Sequence, residues 1–251
     1  MFVPLSDDNP LRSIRFPYVT VALIALNVII YILEITGQGQ AVAASFAIIP
    51  TELFQVKVFG GPARGPFDAL AIPEGLTLLT YMFLHGDPLH LAGNMLFLWV
   101  FGDNVEDAMG HLKFLAFYIL CGVIGGICHA ISAEYGFAQL LVKAAAQGES
   151  AGKVPLIGAS GAVAGVIAAY LMLHPHVRVW VLAFRFIPLR ITATLALGAW
   201  IATQFVMLLI PDTGPVAWWA HIGGILAGAV LVMVMRRPGV PLFDRPPPSP
   251  A

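Results

Sequence analysis

The sequence is poor in charge. Asp, Glu, Lys and Arg make up 11% of its 251 residues, against roughly 25% in an average soluble protein. Two cysteines, Cys121 and Cys128, are too few for a disulfide framework. The net charge of −1 gives no basic field for nucleic acid. No phosphate loop, nucleotide fingerprint or metal-ligand cluster is visible, so no cofactor and no metal are implied. What is abundant is apolar side chain: 59% of residues are Ala, Val, Ile, Leu, Met, Phe, Trp, Tyr or Cys. A soluble fold of this size cannot hide that much and still present a polar surface. The composition describes an integral membrane protein.

Charge-free windows run over 16–33, 88–102, 114–133, 154–177, 191–211 and 213–235. A helix needs about 20 apolar residues to cross the hydrocarbon core. These windows predict an all-α, polytopic bundle of six transmembrane helices near 18–35, 87–105, 113–133, 158–174, 190–210 and 215–235. Residues 1–17 are expected as a cytoplasmic N-terminal segment, 18–235 as the membrane body, and 236–251 as a cytoplasmic Pro-rich tail whose end, Arg245 to Ala251, is extended or disordered. The first span follows Arg12 and Arg15, as a signal peptide would, but Val19 to Ile35 is too long for an h-region. Six spans put both termini on one side. That side holds nine basic residues: Arg12, Arg15, Lys113, Arg178, Arg185, Arg190, Arg236, Arg237 and Arg245. The other side holds four: Lys57, Arg64, Lys143 and Lys153. The positive-inside rule then predicts a multi-pass protein of the cell membrane with both termini cytoplasmic and the loops 36–86 and 134–157 outside. Phe46 to Val58, apolar and aromatic, is expected to lie in the membrane interface.

Polar side chains at membrane depth are costly and mark function. His221 lies 15 residues before Arg236, about 22 Å above that end at 1.5 Å per residue. Ser160 lies 14 residues before His174, or about 21 Å up. His90 lies 13 residues before Asp103, about 20 Å up, with Asn94 roughly 6 Å deeper. All four fall in one slab, about 8–14 Å below the outer surface of a ~30 Å core. The helix from Ser160 to Leu173 has 14 residues, about 21 Å, too short to cross. Val154 to Ala159 must therefore enter the membrane as non-helical backbone, which is tolerated only where protein or water satisfies it. Ser160 is then the floor of an outward-facing wet cavity, at a helix N-terminus whose free N–H groups favour negative charge. Gly161-Ala-Val-Ala-Gly165 and Gly224-Ile-Leu-Ala-Gly228 are small-xxx-small patterns, which would let their helices meet closely just below Ser160 and His221.

Gly158-Ala-Ser160-Gly161, Ala220-His221-Ile-Gly-Gly224 with Gly228, His90-Leu-Ala-Gly-Asn94 and Phe83-Leu-His-Gly-Asp87 together resemble the rhomboid family of intramembrane serine proteases, over roughly residues 15–236. The resemblance implies Ser160 as nucleophile and His221 as general base. His90 and Asn94, with the Ser160 N–H, would stabilise the oxyanion. The implied substrates are transmembrane segments of membrane proteins, met within the lipid bilayer. Two places depart from the family: Leu76-Thr77 stands where a Trp-Arg pair is common, and Ala164 where some members stack a Tyr on the catalytic His. The second leaves open what holds the His221 ring.

The chemistry is consistent on its own terms. Amide hydrolysis needs a nucleophile, a base that later protonates the leaving amine, and oxyanion donors. No acidic residue lies within eight positions of His221, and no mid-depth carboxylate is offered by the second, third or fifth span, so a Ser–His dyad is expected. Cys121 and Cys128 read as packing thiols. His174 and His176 read as a solvated loop, and Glu106 and Asp107 as residues that cap or pair locally; the resemblance adds that Glu106 stabilises its turn. Two rivals remain at this point. A transporter or channel would use the same polar cavity as a pathway, but the paired helix breaks of such folds are absent. An inactive, client-binding relative would lack the Ser or the His, and both are here.

Overall fold

The computed structural model describes residues 2–36, 39–55, 69–70, 72–135, 153–183, 186–210 and 216–244. The loop stretches with Lys57, Arg64 and Lys143, the residue Arg185, and the tail from 245 lie outside the described residues.

The molecule is mostly helical. The long helices are α1 (Tyr18–Ile35), α5 (Pro88–Met109), α6 (His111–Tyr135), α7 (Ser160–Leu173), α8 (Ala193–Met207) and α9 (Trp218–Met235). Short helices α2 (Gly39–Ala43), α3 (Pro50–Gln55) and α4 (Glu74–Thr80) fill the connection from α1 to α5. Among the described residues three helices, α1, α6 and α9, are long and apolar enough to cross a membrane, while α7 and α8 are apolar but shorter. α7 is apolar all round, as a helix surrounded by others must be. It is buried from Gly161 to Tyr170 and packs against α5, α6, α8 and α9.

α5 outruns its predicted end at residue 105. Charge was the expected stop signal, yet Glu106 and Asp107 are buried inside the helix. Neither acts as a local cap alone. Glu106 accepts from the N–H of Val19 (3.0 Å) and from the N–H and hydroxyl of Thr20 (2.8 and 2.7 Å). It also pairs with His111 Nδ1 at the start of α6. Asp107 accepts from the N–H groups of Arg12, Ser13 and Ile14 at 3.0, 2.7 and 2.6 Å. Asn104 donates to the Asn9 carbonyl at 2.8 Å. One helix end thus holds the N-terminal segment and the first N–H groups of α1, which have no intrahelical partner.

The all-α expectation needs correction. β1 (Phe2–Asp7), β2 (Arg178–Ala183) and β3 (Ile187–Thr192) form an antiparallel sheet in that order. β2 and β3 are a hairpin, with Pro188 on the edge strand where its missing N–H costs nothing. β1 comes from the far end of the chain and carries an irregularity between Pro4 and Ser6. Val179 and Val181 face the core, while Trp180 faces out. Asp7 receives the Tyr170 hydroxyl from α7, and burial raises its carboxyl to about 6. The N-terminal segment is therefore built into the body rather than extended beside it.

Two further expectations change. Ala47, Ile48, Ile49 and Leu53 are buried against the bundle, so this part of 46–58 is core rather than an interfacial face. After α9 the chain stays on the body: the N–H groups of Arg237, Phe243 and Asp244 donate to the carbonyls of Ala108, Met172 and Leu173 at 2.8, 2.7 and 3.1 Å, while the expectation for 245–251 lies outside the described residues. His174 Nδ1 meets Asp244 at 2.9 Å, so His174 is a clip on the C-terminal segment and not a free loop residue.

Removing the Asp107 carboxylate leaves three backbone donors without an acceptor, and a hydrogen bond to a charged group is worth about 1.5–3 kcal/mol. Asp107→Ala should lower the melting temperature in detergent and speed tryptic cleavage at Arg12. Wild-type melting and wild-type cleavage at that site would show that the strap is held elsewhere.

Candidate active site

The segment before α7 is non-helical, as α7's length requires. Its backbone is satisfied by protein. Leu156 and Ile48 exchange both N–H···O bonds (2.8 and 3.1 Å), and Gly158 N–H donates to the Tyr81 carbonyl at 2.9 Å. The Tyr81 hydroxyl donates in turn to the Gly122 carbonyl on α6 at 2.6 Å. Gly158 has φ +119°, a conformation that side chains resist. A Cβ there would stand 2.7 Å from the His90 ring and 3.9 Å from Asn94 Nδ2. The backbone two residues before Ser160 is thus pressed directly onto His90 and Asn94. Ser160 follows as the first residue of α7 and is only partly buried.

α7 and α9 touch through backbone. A Cβ on Gly224 would be 1.9 Å from the Gly161 carbonyl oxygen, and one on Gly228 would be 2.3 Å from that of Gly165. The two small-residue stripes do meet. The same contact sets Gly161 against the Ala220 carbonyl, 3.3 Å from its virtual Cβ. Ser160 and His221 are each one residue from that meeting point. Cys121 and Cys128 pack against Gly165 and Gly223, in keeping with packing thiols.

α5 begins with Asp87, whose carboxylate accepts from the N–H groups of Leu89 and His90 at 2.8 and 2.9 Å. Those bonds, that to His90 first, hold its carboxyl below the usual range. The cap places His90 in the first turn and Asn94 one turn below. Asn94 Nδ2 lies 3.1 Å from His85 Nε2. An amide nitrogen can only donate, so that imidazole nitrogen accepts and His85 carries its proton on Nδ1. One Asn94 N–H is committed to His85, and the second meets no acceptor among the described residues. The His85 and His90 rings meet edge-on at 5.1 Å.

His221 is buried, with Nδ1 2.8 Å from Gln204 Oε1 on α8. The rings of Trp200 and Trp218 flank it at 6.0 and 5.9 Å. Neither Gln204 nor the bond from His85 to Asn94 was singled out from sequence. For Gln204 the signal was present. It lies 14 residues past Arg190, about 21 Å up the fifth helix, in the same slab as Ser160 and His221. A search for carboxylates alone passes over it. Among the described residues no cluster of His, Cys, Asp and Glu could hold a metal ion.

A family model described as Rhomboid domain matches residues 73–238. The presenilin-associated rhomboid-like protein, mitochondrial, of Bos taurus is 31% identical over 60% of this chain and 36% of its own length. RHOMBOID-like protein 12, mitochondrial, of Arabidopsis thaliana is 25% identical over 64% of this chain and 46% of its own. Rhomboid protease GluP of Bacillus subtilis is 26% identical over 91% of this chain and 37% of its own. The chain thus spans less than half the length of these relatives. They also correct one expectation. Two are named mitochondrial, which speaks against the expectation of a cell membrane. The Lys and Arg distribution can orient a bundle but carries nothing about which bilayer holds it.

The helix contact gives a prediction free of any chemistry. Gly224→Ala drives a methyl into the Gly161 carbonyl, and such overpacking costs about 1–3 kcal/mol. Gly198 on α8 has nothing within 4 Å of its virtual Cβ. Gly224→Ala should lower the melting temperature by several degrees, while Gly198→Ala leaves it unchanged or raises it. Equal effects would mean that the α7–α9 contact is not close.

Proposed function

Since the chain belongs to the rhomboid family, we propose that it is an intramembrane serine endopeptidase whose nucleophile is Ser160 and whose base is His221. The observation that carries this reading is the backbone contact of Gly161 and Gly224, which brings the N-terminus of α7 beside the second turn of α9. α1, α5, α6, α7, α8 and α9 are the six spans, and residues 18–235 the protease body.

In this reading Ser160 Oγ attacks the carbonyl carbon of a peptide bond. His221 takes the hydroxyl proton and passes it to the leaving amine. The resulting acyl ester is then hydrolysed by water, with His221 again as base. The tetrahedral oxyanion forms at the N-terminus of α7, where N–H groups and the dipole favour negative charge. Asn94 and the His90 ring would serve it as donors, a reading supported by their nearness to Gly158, whose virtual Cβ lies 2.7 Å from the ring and 3.9 Å from Asn94 Nδ2. The burial of His221 and the lack of an acidic partner on its helix support a dyad.

The substrates are transmembrane segments of other membrane proteins. They are cut toward the end that lies opposite this chain's termini, because the dyad lies in that half of the bilayer. A helical carbonyl is already hydrogen-bonded, so the segment must unwind before attack. Gly or Pro near the bond, with small flanking side chains, eases this.

Purified protein in detergent tests the reading with a fluorophosphonate probe and a model transmembrane substrate. Ser160→Ala should lose labelling and cleavage with unchanged melting temperature; cleavage retained by that variant would overturn the assignment. Asn94→Ala should lower kcat by about 10²–10³ with little change in KM, the usual effect of losing one oxyanion donor. Labelling should slow but persist. A stable Asn94→Ala protein with undiminished kcat would remove Asn94 from the oxyanion site.

A further inference from the structure

A base at position 221 must present a bare nitrogen to the nucleophile. A neutral imidazole has one N–H and one lone pair, and which nitrogen carries which depends on what its other side meets. The sequence offers no carboxylate for that task, and Ala164 offers no aromatic ring. We propose that Gln204 is the positioning residue for His221: it fixes the ring's orientation and places the proton on Nδ1.

The argument is one of hydrogen-bond accounting. Gln204 is buried on α8 at 3% exposure, so both ends of its amide need partners. Nε2 donates to the Trp200 carbonyl, one turn back on its own helix, at 2.8 Å. That bond decides which way the amide points, because a carbonyl oxygen can only accept. Oε1 is thereby aimed at His221 Nδ1, 2.8 Å away. Oε1 also only accepts, so Nδ1 must carry the proton and Nε2 keeps its lone pair. Flipping the amide would set its oxygen against the Trp200 carbonyl, two acceptors together with no proton between them. The ring is also confined sideways, by Trp200 tilted 33° to it and Trp218 at 87°. Ala164 is fully buried in a cluster with Ile222 and Ile225, against which Trp200 packs. The His221 ring is therefore held from α8 and not from α7, where the resemblance would have looked for a Tyr.

The catalytic consequence rests on the reading of His221 as base, but the tautomer does not. Two measurements separate them. In full-length protein in detergent, with histidine labelled in both ring nitrogens, the 15N shifts of His221 should report an Nδ1–H tautomer. In Gln204→Met, a substitution of similar volume with no strong acceptor, they should move toward a mixture with Nε2–H. This readout needs no turnover. In the activity arm, Gln204→Met should lower kcat at least tenfold, leave KM within about twofold, and keep the wild-type melting temperature. An Nε2–H tautomer in the wild-type protein overturns the proposal. So does a Gln204→Met protein with unchanged shifts and unchanged kcat. If the wild type shows Nδ1–H and responds to Gln204→Met but cleaves no membrane substrate, the positioning stands and the protease reading fails.

Discussion

Everything at the candidate site depends on six residues of backbone, 154–159, that precede α7 without being helical. Lipid offers no hydrogen bonds, so such a stretch survives only if protein supplies them. Here Ile48 supplies two to Leu156, and Tyr81 supplies one to Gly158. Ile48 and Tyr81 are themselves fully buried, in the connection between α1 and α5. This connection thus supports the backbone that leads into Ser160 and is not a peripheral loop. In the proposed reading it lets α7 begin partway down the bilayer.

The bundle is held at its other end by a different means. Packing of α7 on α9 is backbone against backbone and needs small residues. The ends of α5 and α1 meet through carboxylates and N–H groups instead. Glu106 and Asp107 together take seven hydrogen bonds or ion pairs from residues 12–20 and His111. A buried carboxylate is costly unless its lone pairs are filled, and here they are. The two carboxylates are a join between the first span and the second.

Much of this was legible from residue order. The helices fall within about a turn of the spans predicted from the charge-free windows, because charge is expensive in lipid wherever it is unpaired. Ser160, His90, Asn94 and His221 stood out because they are polar at a shared depth. The sheet did not stand out. β1 is paired across most of the chain's length, so no local turn announces it, and the alternation in Arg178–Ala183 is short. Glu106 was legible only in part: its local partner His111 is five residues away, but its other partners are 86 and 87 residues away, where sequence proximity gives no sign. Gln204 was passed over because the search for a third member of the site looked only for charge, whereas a neutral amide suffices to orient a ring.

The sheet also has a consequence for how the molecule is made. Asp7 faces Val179, so β1 gains its partner only when about three-quarters of residues 18–235 have been made. At about 5–20 residues per second, it waits on the order of ten to thirty seconds with its edge unpaired. Helices α1, α5, α6 and α7 are synthesised in that interval. Closure of the sheet is thus a late event in biogenesis. A nascent chain arrested before residue 178 would keep a loose N-terminus, a recognisable mark of an unfinished protein.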